Sequence, residues 1–129
     1  MFTLDQIIVA HQEVKSAADF PFLMQNLFNI GVKSFETFVA NGQTIYTGVA
    51  GFQLKTAPLY EALLVSQTTD CQLFMSKLKD HQQQKTDFPT FCSDCAKTGI
   101  AKWEVCLEQW TCTYFDSQGH NVLIENIPN

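Results

Sequence analysis

Three sets of side chains in this sequence have the types and spacing that chemistry uses. Cys92-x-x-Cys95 has the spacing of a redox dithiol or of half a zinc site. His11 and His81, each followed by Gln, offer imidazoles for proton transfer near neutral pH. Glu36 and Glu104 could form a carboxylate pair whose environments separate an acid from a base, with Tyr46 and Tyr114 alongside.

Each set also has a plainer explanation. Redox pairs place the first cysteine at a helix N-terminus, where the dipole favours the thiolate; a helix opened by Asp87-Phe88-Pro89 puts Cys92 about a turn inside. Zinc needs four ligands, and without a second Cys-x-x-Cys, His81 or Cys112 would have to join. Cys92 and Cys95 are therefore expected to be buried, reduced and metal-free core residues. His11 and His81 end apolar stripes, where a histidine usually has its ring nitrogens satisfied by backbone. His120 falls in a turn and is expected in solvent. Counting by twos puts Glu36 and Glu104 on one strand face with Ser34 and Lys102, opposite Phe35, Val39, Trp103, Val105 and Leu107. Solvated carboxylates with cross-strand partners are the expected outcome there.

The elements that position these residues follow from an internal similarity. Asp19-Phe20-Pro21 recurs as Asp87-Phe88-Pro89, and the same ungapped offset lays Gly31 on Gly99, Glu36 on Glu104, Tyr46 on Tyr114 and Gly51 on Gly119. His11-Gln12 with Lys15 matches His81-Gln82 with Lys85 after a two-residue shift. An old tandem duplication of a half-domain accounts for this. Thr3 with Gln6 predicts a capped helix whose stripe is Leu4, Ile7, Ile8, His11 and Val14; Asp19 opens a second, with Pro21 in its first turn and Gly31 past its end. Strands are predicted over 32–40, 43–48 and 52–56, with Asn41-Gly42 as the hairpin turn. Thr69 or Asp70 opens a third helix carrying Cys71, Phe74, Met75 and Leu78. Asp87 opens the fourth, and strands follow near 100–107, 110–116 and 121–127. The expectation is one α+β domain over 1–129, with α-α-β-β-β halves at about 3–56 and 69–127. In the connector, about 57–68, Leu63-Leu64-Val65 could add a strand. Helices should pack on an antiparallel sheet.

Composition removes several function classes. Eight lysines, no arginine and thirteen acidic residues leave a charge of −5, a poor match for nucleic acid. No apolar run approaches a membrane span, and the first residues lack the basic start of a signal peptide. Five cysteines, an odd number in such a chain, point to reduced thiols and a cytoplasmic location. There is no phosphate-binding loop, dinucleotide fingerprint, nucleophile elbow or H-E-x-x-H, so the common hydrolase and nucleotide chemistries lose their usual handle.

The run Thr86-Asp87-Phe88-Pro89-Thr90-Phe91-Cys92, with Asp94-Cys95-Ala96-Lys97, Gly99, Lys102-Trp103, Thr111-Cys112-Thr113-Tyr114 and the ending Glu125-Asn126-Ile127-Pro128, resembles the YbcV-like family. Ala18-Asp19-Phe20-Pro21 and Gly31-Val32 resemble it in the first half. These are small bacterial proteins of unknown function, some carried by prophages and sometimes labelled phage envelope proteins. The resemblance covers nearly the whole chain and implies no activity. Relatives often place a histidine after the hairpin glycine; this chain has Gln43 there, so no histidine site is implied at that turn.

Taken together, the residues predict an accessory module, without cofactor, that binds a protein or small molecule between its halves at some of His11, Glu36, Tyr46, His81, Glu104 and Tyr114. A small enzyme using the paired acids and histidines is the alternative, and a thiol or zinc protein using Cys92 and Cys95 ranks below it. A last strand at a sheet edge could serve for homodimer pairing.

Overall fold

The structure, a computed structural model, describes residues 1–12 and 19–127. In chain order it has α1 (Leu4–Gln12), α2 (Phe20–Asn29), β1 (Ser34–Phe38), β2 (Thr44–Thr47), β3 (Gln53–Lys55), α3 (Cys71–Gln82), α4 (Phe88–Lys97), β4 (Ile100–Cys106), β5 (Thr111–Asp116) and β6 (Asn121–Asn126). All strand pairings are antiparallel, so the fold is α+β. Among the described residues no helix is long and apolar enough to cross a membrane.

Local chemistry explains the helix starts. Thr3 and Gln6 form a reciprocal capping box, the Gln6 N–H donating to Thr3 Oγ1 (3.2 Å) and the Thr3 N–H to Gln6 Oε1 (2.8 Å). Asp70 and Asp87 accept from the Leu73 and Thr90 N–H groups at 3.1 and 2.9 Å. Pro21 and Pro89 sit in first turns, where their missing N–H costs nothing. Gly99 ends α4 with φ +86°, and a Cβ there would come within 2.5 Å of the Thr68 carbonyl oxygen, so glycine is required twice over.

The six strands form one sheet in the order β3-β2-β1-β4-β5-β6, with β1 and β4 at its centre. Glu36 pairs directly with Glu104; Ser34 faces Cys106 and Phe38 faces Lys102 on either side. Exchanging the two halves reproduces this register. Alternation then sorts the side chains: Phe35, Tyr46, Trp103, Val105, Cys112 and Tyr114 are buried toward the helices, in one core with Met24, Leu27, Phe74, Phe91, Cys92 and Cys95. Each fully buried Leu or Phe of this set contributes roughly 1.5–3 kcal/mol of transfer free energy. Thr37 and Thr44, buried on the same face, satisfy each other through a 2.8 Å hydroxyl contact.

Three expectations need correction. Leu63-Leu64-Val65 is not a strand. Its backbone serves the neighbouring hairpin, the Leu63 N–H donating to the Ala40 carbonyl at 2.7 Å, and Leu64 points into solvent. In α1 the buried residues are Ile7 and Ala10, while Leu4 and Ile8 are half exposed, a narrower buried stripe than the apolar pattern suggests. Val14, placed on that stripe, lies outside the described residues. α3 carries Cys71, Phe74, Met75 and Leu78 as expected, with Phe74 and Leu78 buried and Cys71 and Met75 exposed. Tyr46 and Tyr114 do not lie alongside the glutamates: strand alternation sends them to the opposite face.

Candidate functional site

Because the helices all occupy one face, the seam between the halves is accessible from the other. There, directly paired Glu36 and Glu104 would repel each other. Lys102, next along β4 on that face, resolves this by donating from Nζ to Glu36 Oε2 and Glu104 Oε1, both at 3.2 Å. Its ammonium also lies 5.1 Å from the Phe115 ring centroid and 6.0 Å from that of Phe38. Burial alone would pull the Lys102 pKa down, but the hydrogen bonds and charges of Glu104 and Glu36 outweigh it and leave the pKa above the ordinary lysine value. Glu36 Oε1 and Glu104 Oε2 accept no hydrogen bond among the described residues. The cluster thus carries one uncompensated negative charge, with spare acceptor oxygens, between two aromatic rings. One row of side chains runs through it across every strand: Lys55, Ile45, Glu36, Glu104, Thr113 and Ile124.

The helix face holds the other candidates, and they are engaged. His11 Nε2 lies 3.1 Å from the Tyr46 hydroxyl, and burial lowers the imidazole pKa while raising that of Tyr46 to about 12. His81 donates from Nδ1 to the Thr86 carbonyl at 3.1 Å and stacks on Phe91 with centroids 4.4 Å apart; burial again lowers its pKa, against the opposing pull of Thr86 and nearby carboxylates. Tyr114 packs edge-on against Phe74. His120 is exposed and 3.3 Å from the Asp116 carboxylate. The structure therefore brings Glu36 and Glu104 together, pairs His11 with Tyr46, and keeps both groups apart from His81 and Tyr114.

Cys92 and Cys95 are fully buried in α4, and burial raises both thiol pKa values, so neither is poised as a thiolate. Burial likewise pushes Cys112 up to about 12. All five cysteines are free thiols, and no group of three metal-ligating side chains converges among the described residues. Gln43, at the turn where the resembled family often has histidine, donates to the Thr56 carbonyl at 3.0 Å and helps hold β2 against the chain leaving β3.

Two surface cavities of about 370 Å³ lie elsewhere. One is between the connector and α4, lined by Leu59, Tyr60, Leu63, Phe88, Pro89 and Ser93; the other is between α3 and β6. Neither includes any of the six residues singled out from the sequence. Phe38, Phe115, Ile45 and Thr113 were not among the candidates. Counting by twos from Glu36 reaches Phe38, whereas Phe115 and Thr113 depend on the β4–β5 register.

No curated protein matches this chain. Residues 9–126, most of the sequence, match the model of a family described as "Protein of unknown function (DUF1398)", and the chain belongs to that family.

Proposed function

We propose that this protein is a non-enzymatic accessory module that holds a cationic group of its partner on the open sheet face, at the seam between its halves. The observation that carries this reading is the Glu36–Lys102–Glu104 cluster: facing carboxylates, each with a spare oxygen, framed by Phe38 and Phe115. An amine or guanidinium placed there gains two acceptors and an aromatic wall. The net charge of −5 favours approach of a basic partner and disfavours nucleic acid. The engaged histidines and buried thiols support binding over catalysis, because neither is set up to move a proton or attack a substrate.

The matching register of the halves about Glu36 and Glu104 supports an origin by tandem duplication. The motif run from Thr86 to Cys92 supports a place among the YbcV-like, prophage-associated proteins, and the free thiols support a reducing, cytoplasmic setting. Nuclear magnetic resonance titration with an oligolysine peptide, against an oligoglutamate control, tests the binding site. The oligolysine peptide should shift the amides of Glu36, Phe38, Glu104 and Thr113, and E36Q/E104Q should abolish those shifts. Shifts confined to other surfaces, or unchanged in the double variant, would overturn the reading.

A further inference from the structure

The sheet has two edges, and they are not alike. β3 is three residues long, carries Lys55, and is followed closely by Pro58, all features that discourage strand addition. β6 runs for six residues, Asn121–Asn126, with no lysine or proline and with Glu125 as its one charge. Its most exposed large apolar side chain, Ile124 at 57%, stands at the end of the outer-face row.

The ladder shows which backbone groups face outward. The Ile127 N–H donates to the Trp110 carbonyl at 2.7 Å, just beyond the Thr111–Asn126 pair. In an antiparallel ladder that bond marks Thr111–Asn126 as a non-hydrogen-bonded pair; Cys112–Glu125 is then bonded and Thr113–Ile124 is not. The N–H and C=O of Ile124 therefore point away from β5.

We propose that β6 pairs antiparallel with β6 of a second copy of this chain, Ile124 opposite the second copy's Ile124. In this register the two Ile124 residues exchange both backbone hydrogen bonds across the twofold axis and cover each other's side chains. The competing register, centred on Glu125, would oppose the two Glu125 carboxylates. With Ile124 at the axis, each Glu125 instead lies opposite the second copy's Leu123. Leu123 and Glu125 line the groove that α3 forms with β6, together with Lys79, Met75 and Gln82. The second copy's Glu125 thus approaches an ammonium, and half-exposed Met75 gains cover. This contribution from α3 matters because strand pairing alone falls short of the roughly 1,200 Å² of a stable interface.

Sedimentation velocity on the full chain over a range of concentrations tests the proposal. The expected species has twice the 14.6 kDa chain mass. I124P removes a donor that faces away from β5, a position where an edge strand accepts proline, so it should sediment at the single-chain mass with an unchanged circular dichroism spectrum. Should I124P fail to fold, hydrogen exchange of the wild-type Ile124 amide gives the answer instead, its protection rising with protein concentration. A wild-type monomer throughout, a folded I124P that still dimerises, or concentration-independent protection at Ile124 would overturn the proposal.

Discussion

At Lys102, three forces pull in different directions. Burial disfavours its charge, two carboxylates favour it, and two aromatic rings present their negative faces to it. The side chain is 28% exposed, so its ion pairs are screened less than ordinary surface pairs. K102M should therefore destabilise the fold by about 1 kcal/mol, because Glu36 and Glu104 would then face each other unmediated. Adding E36Q should recover much of that loss, and so should high salt. Urea titrations of the single and double variants measure the coupling. If K102M matched wild type in low salt, the lysine would not be what holds the carboxylates together. A second test concerns glycine. Gly99 and Gly119 share positive φ values of +86° and +85°, but a Cβ at Gly119 meets nothing within 4 Å, whereas at Gly99 it strikes Thr68 and Thr69 backbone. G119A should cost roughly 1 kcal/mol, the ordinary penalty of a left-handed residue, and G99A distinctly more. Equal thermal shifts in the two variants would contradict that contact.

Elements were largely legible from sequence because their signals are local. The Thr3–Gln6 box and the Asp70 and Asp87 caps are side chain-to-backbone bonds spanning three residues, and all three form. Replacing Asp70 by Ala should cost about 1 kcal/mol of stability in denaturant titration, since it leaves the Leu73 N–H uncapped. Strand alternation placed Glu36, Ser34 and Lys102 on one face and Phe35 and Trp103 on the other. What failed depended on long-range packing. How much of α1 is buried is set by its packing against the neighbouring helix rather than by its own periodicity. Leu63-Leu64-Val65 is apolar enough for a strand, yet the Leu63 N–H bonds to the hairpin and the following Ser66 N–H to the end of α4, so the segment runs as a strap. The candidate site was half legible for the same reason. The matching positions of Glu36 and Glu104 are visible in the sequence, but their direct pairing, the face of each tyrosine and the approach of Phe115 follow from registers that composition does not reveal.

For the molecule as a whole, the helix-covered face ties stability to pH through its histidines. His11 and His81 are bonded to Tyr46 and Thr86, and in both burial holds the pKa below the ordinary 6.5. A histidine whose folded pKa is depressed takes up its proton more readily in the unfolded chain. As pH falls through 6.5 the unfolded state gains protons first, so stability declines until the folded-state pKa values are passed. Above 6.5 both states are neutral at these sites and the histidines contribute no slope. The carboxylates act in a separate window. Asp87 and Asp116 are held below the ordinary 3.8, Asp87 chiefly by its bonds from Thr90 and Asp116 chiefly by the His120 backbone N–H; their stabilisation is present above 3.8 and fades as pH drops through the folded values. Two separate declines are therefore expected when unfolding free energy is followed by urea titration from neutral to acid pH. The variant H11Q/H81Q should remove the first decline and leave the second. A wild-type profile flat from neutral pH down to the carboxylate range would mean that the imidazoles are not held neutral against the sheet, and a first decline that survives in the double variant would assign it to other groups.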